Sequence, residues 1–169
     1  MTMQTKQTKF EVIHFLVQNV HLCFEIQYIV KVLPLVQLKP VPDSPSYLAG
    51  LMNIESKSIP VIDLALRLGL KRREKYTLAT PIIICNDNSQ ETGIIVDEIL
   101  GLSVAEKSAL QMQTKFADPE SLFRGVITLD TKLALLLNMQ QILSIGLGPN
   151  EQPTPHDINS TNLTGFKYE

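Results

Sequence analysis

The chain has 169 residues, 44% of them hydrophobic, and carries 15 Lys and Arg against 17 Asp and Glu for a net charge of −2. That length suits one domain built of two lobes, and that apolar content supports a real core, which excludes global disorder. The near balance of charge gives no reason to expect a nucleic-acid partner, and no uncharged apolar stretch approaches the roughly 18 residues that would insert across a membrane.

Residues 1–9, MTMQTKQTK, are polar and lack the apolar centre of a secretion signal, so they read as a flexible leader on a cytoplasmic protein. From Phe10 the apolar runs are short and rich in β-branched residues: EVIHFLV, HLCFEIQ, PIIIC and TGIIVDEI. Polar turns such as Gln18-Asn19 and Asn86-Asp87-Asn88-Ser89 separate them, a pattern that predicts strands joined as hairpins. Two stretches predict short helices. Ser44-Pro45-Ser46-Tyr47-Leu48-Ala49-Gly50 has a capping Ser, Pro in its first turn and a closing Gly, and Asp63-Leu64-Ala65-Leu66-Arg67-Leu68-Gly69 repeats that logic. A longer helix is expected after Asn138, in NMQQILSI. Beyond Gly148 the chain turns polar, so residues 149–169 read as a mobile tail.

One internal comparison organises these elements. GLMNIESKSIPVIDL from Gly50 lies without gaps on GVITLDTKLALLLNM from Gly125. Both run Gly, apolar strand, acidic–hydroxyl–Lys turn, apolar strand, then Asp63 or Asn138 as a helix cap. Upstream, EIQYIV at 25–30 resembles IVDEIL at 95–100, with Ile26 over Val96 and Ile29 over Ile99. Two similar halves are therefore expected, each a strongly bent set of about five strands closed by a short helix.

Residues that could carry chemistry are sparse. His14, His21 and His156 are scattered and form no H-x-x-x-H or C-x-x-C spacing, so structural or exposed histidines are expected rather than metal ligands or catalysts. Cys23 and Cys85 sit in separate apolar runs and read as buried free thiols. Asp97 and Glu98 are adjacent on an expected strand and would face opposite sides, which argues against a paired acid and base. No phosphate-binding glycine loop and no nucleophile elbow is present. Lys71-Arg72-Arg73-Glu74-Lys75 is the one basic run, and it reads as a solvated connecting loop. No cofactor and no enzymatic activity are expected. A β-rich scaffold of this kind is expected to bind other proteins in grooves or along sheet edges.

Several ordered motifs resemble one family. Gly50 to Leu64, read as G-x-x-N-I-x-x-x-x-I-P-V-I-D-L, is similar to the central signature of the CheW family, adaptors that couple chemoreceptors to the CheA histidine kinase. VPDSPSYLAG, TGIIVDEIL and LFRGVITLDTKLALLLNMQQIL resemble the flanking family segments, so the likeness runs from about Phe10 to Leu143. It implies a mostly β fold of two intertwined SH3-like β-barrel subdomains of about five strands each, occupying residues 10–148. It also implies that one subdomain face docks the regulatory domain of a CheA-type kinase and that the groove between subdomains receives the cytoplasmic tip of a methyl-accepting chemoreceptor. Ile29 and Gly50 match groove-side positions linked to receptor binding, and Asn53, Ile54, Glu55, Ser56 and Ile59 belong to the same protein-binding stretch.

At Asn53–Ser56 the usual family form is Asn-Leu-Arg-Gly, and here Glu55 stands for the Arg and Ser56 for the Gly. A carboxylate offers only acceptors where a guanidinium offers a fork of donors, so a changed partner surface is expected there, or none. If the turn requires positive φ at residue 56, Ser costs on the order of 1 kcal/mol relative to Gly. The alternatives left open are a divergent paralogue that binds the kinase but not receptors, and a small β-barrel binding module for another ligand. Flagellar chemotaxis and pilus-based motility remain equally compatible.

Overall fold

The computed structural model describes residues 7–72, 75–112 and 116–145. In chain order the elements are β1 (Lys9–Val17), β2 (Val20–Glu25), a 3-10 turn, β3 (Ile29–Pro34), β4 (Leu48–Ile54), β5 (Lys57–Asp63) and α1 (Leu64–Arg67). There follow β6 (Pro81–Asn86), β7 (Glu91–Ile95), β8 (Glu98–Glu106), a second 3-10 turn, β9 (Leu110–Gln111), β10 (Phe123–Leu129), β11 (Lys132–Leu137) and α2 (Met139–Ile142). The expected mostly β fold with short helices is what forms. No described helix is long and apolar enough to cross a membrane. The expected tail at 149–169 lies outside the described residues, and pairing reaches into the expected leader, since the Lys107 amide donates to the Thr8 carbonyl at 2.9 Å.

The strands form a six-stranded sheet in the order β8-β1-β2-β11-β10-β9 and a five-stranded sheet in the order β3-β6-β7-β5-β4. The two orders are the same pattern, because β8, β1, β2, β11 and β10 take the places of β3, β6, β7, β5 and β4. Each pattern contains one parallel pair, Leu135 with Leu22 in one sheet and Val61 with Gly93 in the other. The two halves of the sequence therefore do not each build a lobe. The chain passes from one sheet to the other after β2 and back after β7, so each sheet joins one hairpin of one half to the remaining strands of the other.

This exchange explains the apolar runs. On one face β1 and β2 give Phe15, Val17, Leu22 and Phe24 to a core shared with Ile83, Cys85 and Ile94 of the second sheet. On the other face Val12 and Cys23 pack inside the first sheet with Ile127, Leu129 and Leu136. Ile82, Ile84 and Ile95 do the same in the second sheet with Leu38, Met52 and Val61. A hairpin covered on both faces needs no polar alternation, which is why β6 reads as PIIIC. Cys23 and Cys85 are free and buried, and burial pushes both thiols up to about 12, so they stay protonated and inert.

Three hairpin turns place both central residues at positive φ: Gln18 and Asn19 at 48° and 65°, Glu55 and Ser56 at 47° and 69°, Asp130 and Thr131 at 44° and 72°. Two-residue turns of this hand match the twist of the flanking strands, and none of the three uses glycine. Thr131 is the most strained, because a β-branched side chain crowds the left-handed region. We expect Thr131→Gly and Ser56→Gly each to stabilise the protein by about 1 kcal/mol, with Thr131→Gly the larger. Urea midpoints at unchanged slope would show it, and an unchanged midpoint for both would remove the strain argument.

Three local expectations are corrected. Residues 44–50 do not form a helix: the Leu48 amide donates to the Pro45 carbonyl in a single turn, and Gly50 belongs to β4. Asp63 does cap α1, accepting from the Leu66 amide at 3.3 Å, but Asn138 caps no amide with its side chain. Its Nδ2 donates instead to the Ser121 carbonyl at 3.1 Å. The helix after Asn138 is one turn only, because Arg67 takes the Gln141, Ile142 and Ser144 carbonyls and the chain dives inward at Leu143 and Ile145.

Candidate functional site

The β4–β5 hairpin holds most of the residues singled out in the sequence, and the fold sorts them by depth. Asn53, Glu55 and Ser56 are exposed at its tip, where the Ser58 hydroxyl donates to Asn53 Oδ1 at 3.0 Å. Ile54 is half-buried against the core of the second sheet. Ile59 is only 2% exposed, so it shapes the hairpin from within and offers no surface. Gly50 is buried too: a Cβ built on it would lie 2.6 Å from the Lys39 carbonyl oxygen, so its role is to let residue 39 cross over β4. Ile29 opens β3, half-buried against the shared core. The apolar residues of the hairpin thus point inward, and its exposed tip is polar.

The exposed apolar surface lies elsewhere. β8 and β3 occupy equivalent edges of their sheets. β8 turns Leu100, Leu102 and Val104 outward, Leu102 at 69% exposure and Val104 at 61%, and β3 turns out Val30 and Val32, each at 45%. Val104 continues into a groove of about 820 Å³ that Phe10, Ile26 and Leu110 line with Lys9, Glu25 and Arg124. Beside the hairpin tip a smaller cleft of about 290 Å³ runs between Val36, Lys39 and Asn53. Such edges, with one row of backbone groups unpaired and an apolar row beside it, are where proteins accept another chain. Sequence reading missed β8, although Leu100, Leu102 and Val104 alternate with Gly101 and Ser103. Alternation gives the apolar face, and only the sheet order shows that the strand carrying it lies at the end of its sheet.

Two polar clusters complete the picture. Asp63, fully buried, accepts from Arg72 Nη2 at 2.7 Å, from Arg72 Nε and from the Tyr76 hydroxyl. Arg72 Nη1 also donates to Asp97 Oδ1 at 3.1 Å, and Asp97 Oδ2 accepts from the Gln18 amide at 2.6 Å. Burial pulls the Arg72 pKa down, but the hydrogen bonds and charge of Asp63 outweigh it and leave the group above the ordinary arginine range. The basic run is thus no simple solvated loop, because Arg72 folds back into the body. Arg73 and Glu74 lie outside the described residues. Asp97 stands at the crossover before β8 rather than on a strand beside Glu98.

The second cluster joins His14 and His21, which lie diagonally across the β1–β2 hairpin with His14 Nδ1 3.0 Å from His21 Nε2. His14 Nε2 lies 3.1 Å from Ser103 Oγ. Burial first, then the facing His14 ring, hold His21 below the usual imidazole value of 6.5, against the opposing hydrogen bond to the Leu133 backbone. His156 lies outside the described residues. Among those described, no three His, Cys, Asp or Glu side chains come together to hold a metal ion.

Comparison with known proteins decides the family. Residues 11–146 match the model of the CheW-like domain. The chain belongs to the CheW-like family. A chemotaxis protein CheW of Thermotoga maritima is 27% identical over 135 residues, covering 80% of this chain and 88% of its own. A chemotaxis protein CheW of Helicobacter pylori is 24% identical over 132 residues, covering 78% of this chain and 79% of its own. In fold, the chain is similar to the scaffolding protein TtCheW of Thermoanaerobacter tengcongensis, with a TM-score of 0.72 over 81% of this chain and 94% of that one at 22% identity. The CheW-like fold of two barrel subdomains is the strand-exchanged pair of sheets described above, and the CheW-like family is one of chemotaxis scaffolds rather than enzymes.

Proposed function

We propose that this CheW-like protein couples the cytoplasmic tip of a methyl-accepting chemoreceptor to the regulatory domain of a CheA-type histidine kinase. Beyond family membership, one observation supports this reading: the two sheets offer equivalent apolar edges, β3 and β8, on a single body. An adaptor needs two docking places and no chemistry, and strand exchange supplies two of the same kind. The polar tip at Asn53–Ser56 stands next to the smaller cleft and adds specificity to one of them.

Calorimetry of the full chain with the isolated regulatory domain of its kinase tests the proposal. A dissociation constant around micromolar is expected for a small, transient interface. Leu102→Glu, which places a charge in the β8 row, should weaken binding to at least one of the two partners about tenfold or more. No association at roughly 100 μM of either partner would overturn the coupling role.

The departure at Glu55 favours a partner that differs from the usual one at this point. Because Glu55 is exposed, Glu55→Arg should change stability by no more than about 0.5 kcal/mol. If the native partner sets a Lys or Arg opposite, the substitution brings like charges together, and affinity should fall at least about tenfold with a reversed salt dependence. Unchanged affinity for kinase and receptor would assign Glu55 to a surface that neither touches.

A further inference from the structure

The docking role makes no use of His14 and His21, yet they sit where β8 is least regular. The register between β1 and β8 shifts after His14, so Leu100 is skipped and His14 lies opposite Gly101. The His14 ring covers that glycine, with Nε2 3.7 Å from where a Cβ would stand, and the same nitrogen meets the Ser103 hydroxyl at 3.1 Å. On its other side His14 Nδ1 faces His21 Nε2 at 3.0 Å, the ring centroids 5.2 Å apart and the planes tilted by 50°. One line of polar contacts therefore runs from β2 through β1 to the bulged edge strand.

A nitrogen–nitrogen contact of that length holds one proton between two rings, which limits the charge the pair can carry. With both imidazoles neutral, one donates to the lone pair of the other, and the Ser103 hydroxyl serves either tautomer of His14 because it donates and accepts alike. With one imidazole charged, the bond persists and becomes charge-assisted. With both charged, every ring nitrogen carries a hydrogen, and two N–H groups of like charge would face each other at 3.0 Å. The contact must then open. The surroundings give the second charge no relief. Val12, Leu16 and Gly101 are uncharged, and the buried Cys23 thiol is pushed up to about 12. Burial, the His14 ring and Lys132 of β11 all oppose a charge on His21. Of the carboxylates nearest in register, Asp97 is committed to Arg72 and the Gln18 amide, and Glu98 and Asp130 are exposed.

We propose that His14, His21 and Ser103 form an acid-sensitive latch: carrying at most one shared charge they clamp the β1–β2 hairpin to β8 at its bulge, and doubly charged they release it. Ser103 stands between Leu102 and Val104, so the latch sets how firmly the exposed apolar row is held. The direction follows from linkage. His21 is held below 6.5 in the folded chain and returns to that value on unfolding, so the unfolded chain binds the extra proton as pH falls through 6.5. This stability is fully present above 6.5 and is lost on acidification, the folding constant falling by up to about tenfold per pH unit.

The test follows urea denaturation of the full chain from about pH 7.5 to about pH 5. Across that range its folding constant should fall by about tenfold more than that of His14→Gln or His21→Gln, while His156→Gln should track the unmutated chain. Amide hydrogen exchange, corrected for its intrinsic pH dependence, adds a local signature. Protection should fall along Leu102–Ala105 of β8 at the lower pH and hold along Ile82–Ile84 of β6. Imidazole NMR signals of the unmutated chain should show His14 and His21 titrating as a coupled pair in two separate steps, His21 below its ordinary value. That reading needs no variant, so it decides the matter where a variant fails to fold. Overturning results are a single step at the ordinary value for both rings, a loss of stability that is parallel in the unmutated chain and either variant, or β8 protection that does not change with pH.

Discussion

Replacing Arg72 by alanine should lower stability by about 3–5 kcal/mol, because it strands a fully buried carboxylate. Asp63 accepts from both Arg72 and Tyr76 while capping α1, and Arg72 ties Asp97 and, through it, the β1–β2 turn to the same point. Removing the cation leaves Asp63 with only neutral donors inside the protein. Arg72→Lys should recover only part of the loss, since a single ammonium cannot reproduce the two-pronged contact with Asp63 while also reaching Asp97. Chemical denaturation gives the answer directly. A cost below about 1 kcal/mol for Arg72→Ala would return the residue to the class of exposed loop charges.

Gly50→Ala is expected to cost ~3 kcal/mol through a different cause. Gly50 has φ of +149°, outside the comfortable range of any L side chain, and its added methyl would meet the Lys39 carbonyl oxygen at 2.6 Å. That carbonyl cannot withdraw cheaply, because residue 39 exchanges two hydrogen bonds of 2.8 Å with Leu51. Gly125, its counterpart in the repeat, has the same crowding against the Gln111 carbonyl at 2.7 Å but no positive φ. Gly125→Ala should therefore be the milder of the two, and the difference measures the backbone strain alone. Equal costs would mean that crowding accounts for both.

Much of the fold was legible because its signals are local. The paired hairpin tips Glu55-Ser56 and Asp130-Thr131, the glycines that precede them and the Asp63 cap all declare themselves within a few residues. The exchange of hairpins between sheets has no such signal, since a strand carries no mark of which partner it will find. The basic run misled for a related reason. Charge counting sees Arg72 among its neighbours in sequence, while its partners Asp63 and Asp97 lie 9 and 25 positions away. The histidine pair could have been found. A two-residue turn at Gln18-Asn19 sets Leu16 against His21 and His14 against Cys23, so residues 14 and 21 must be diagonal neighbours.

The exchanged hairpin has a consequence for how the chain is made. Leu22 of β2 waits for Leu135 of β11, and β1 waits for β8, so the first hairpin finds its permanent neighbours only when most of the protein exists. At a synthesis rate of about 5–20 residues per second, that wait is roughly 6–20 s on the ribosome. Throughout it the hairpin offers two apolar faces and two unpaired edges, and contacts of such long sequence separation close slowly even once all the strands are present. The nascent chain, more than the finished protein, is the form most exposed to mispairing at its open strand edges.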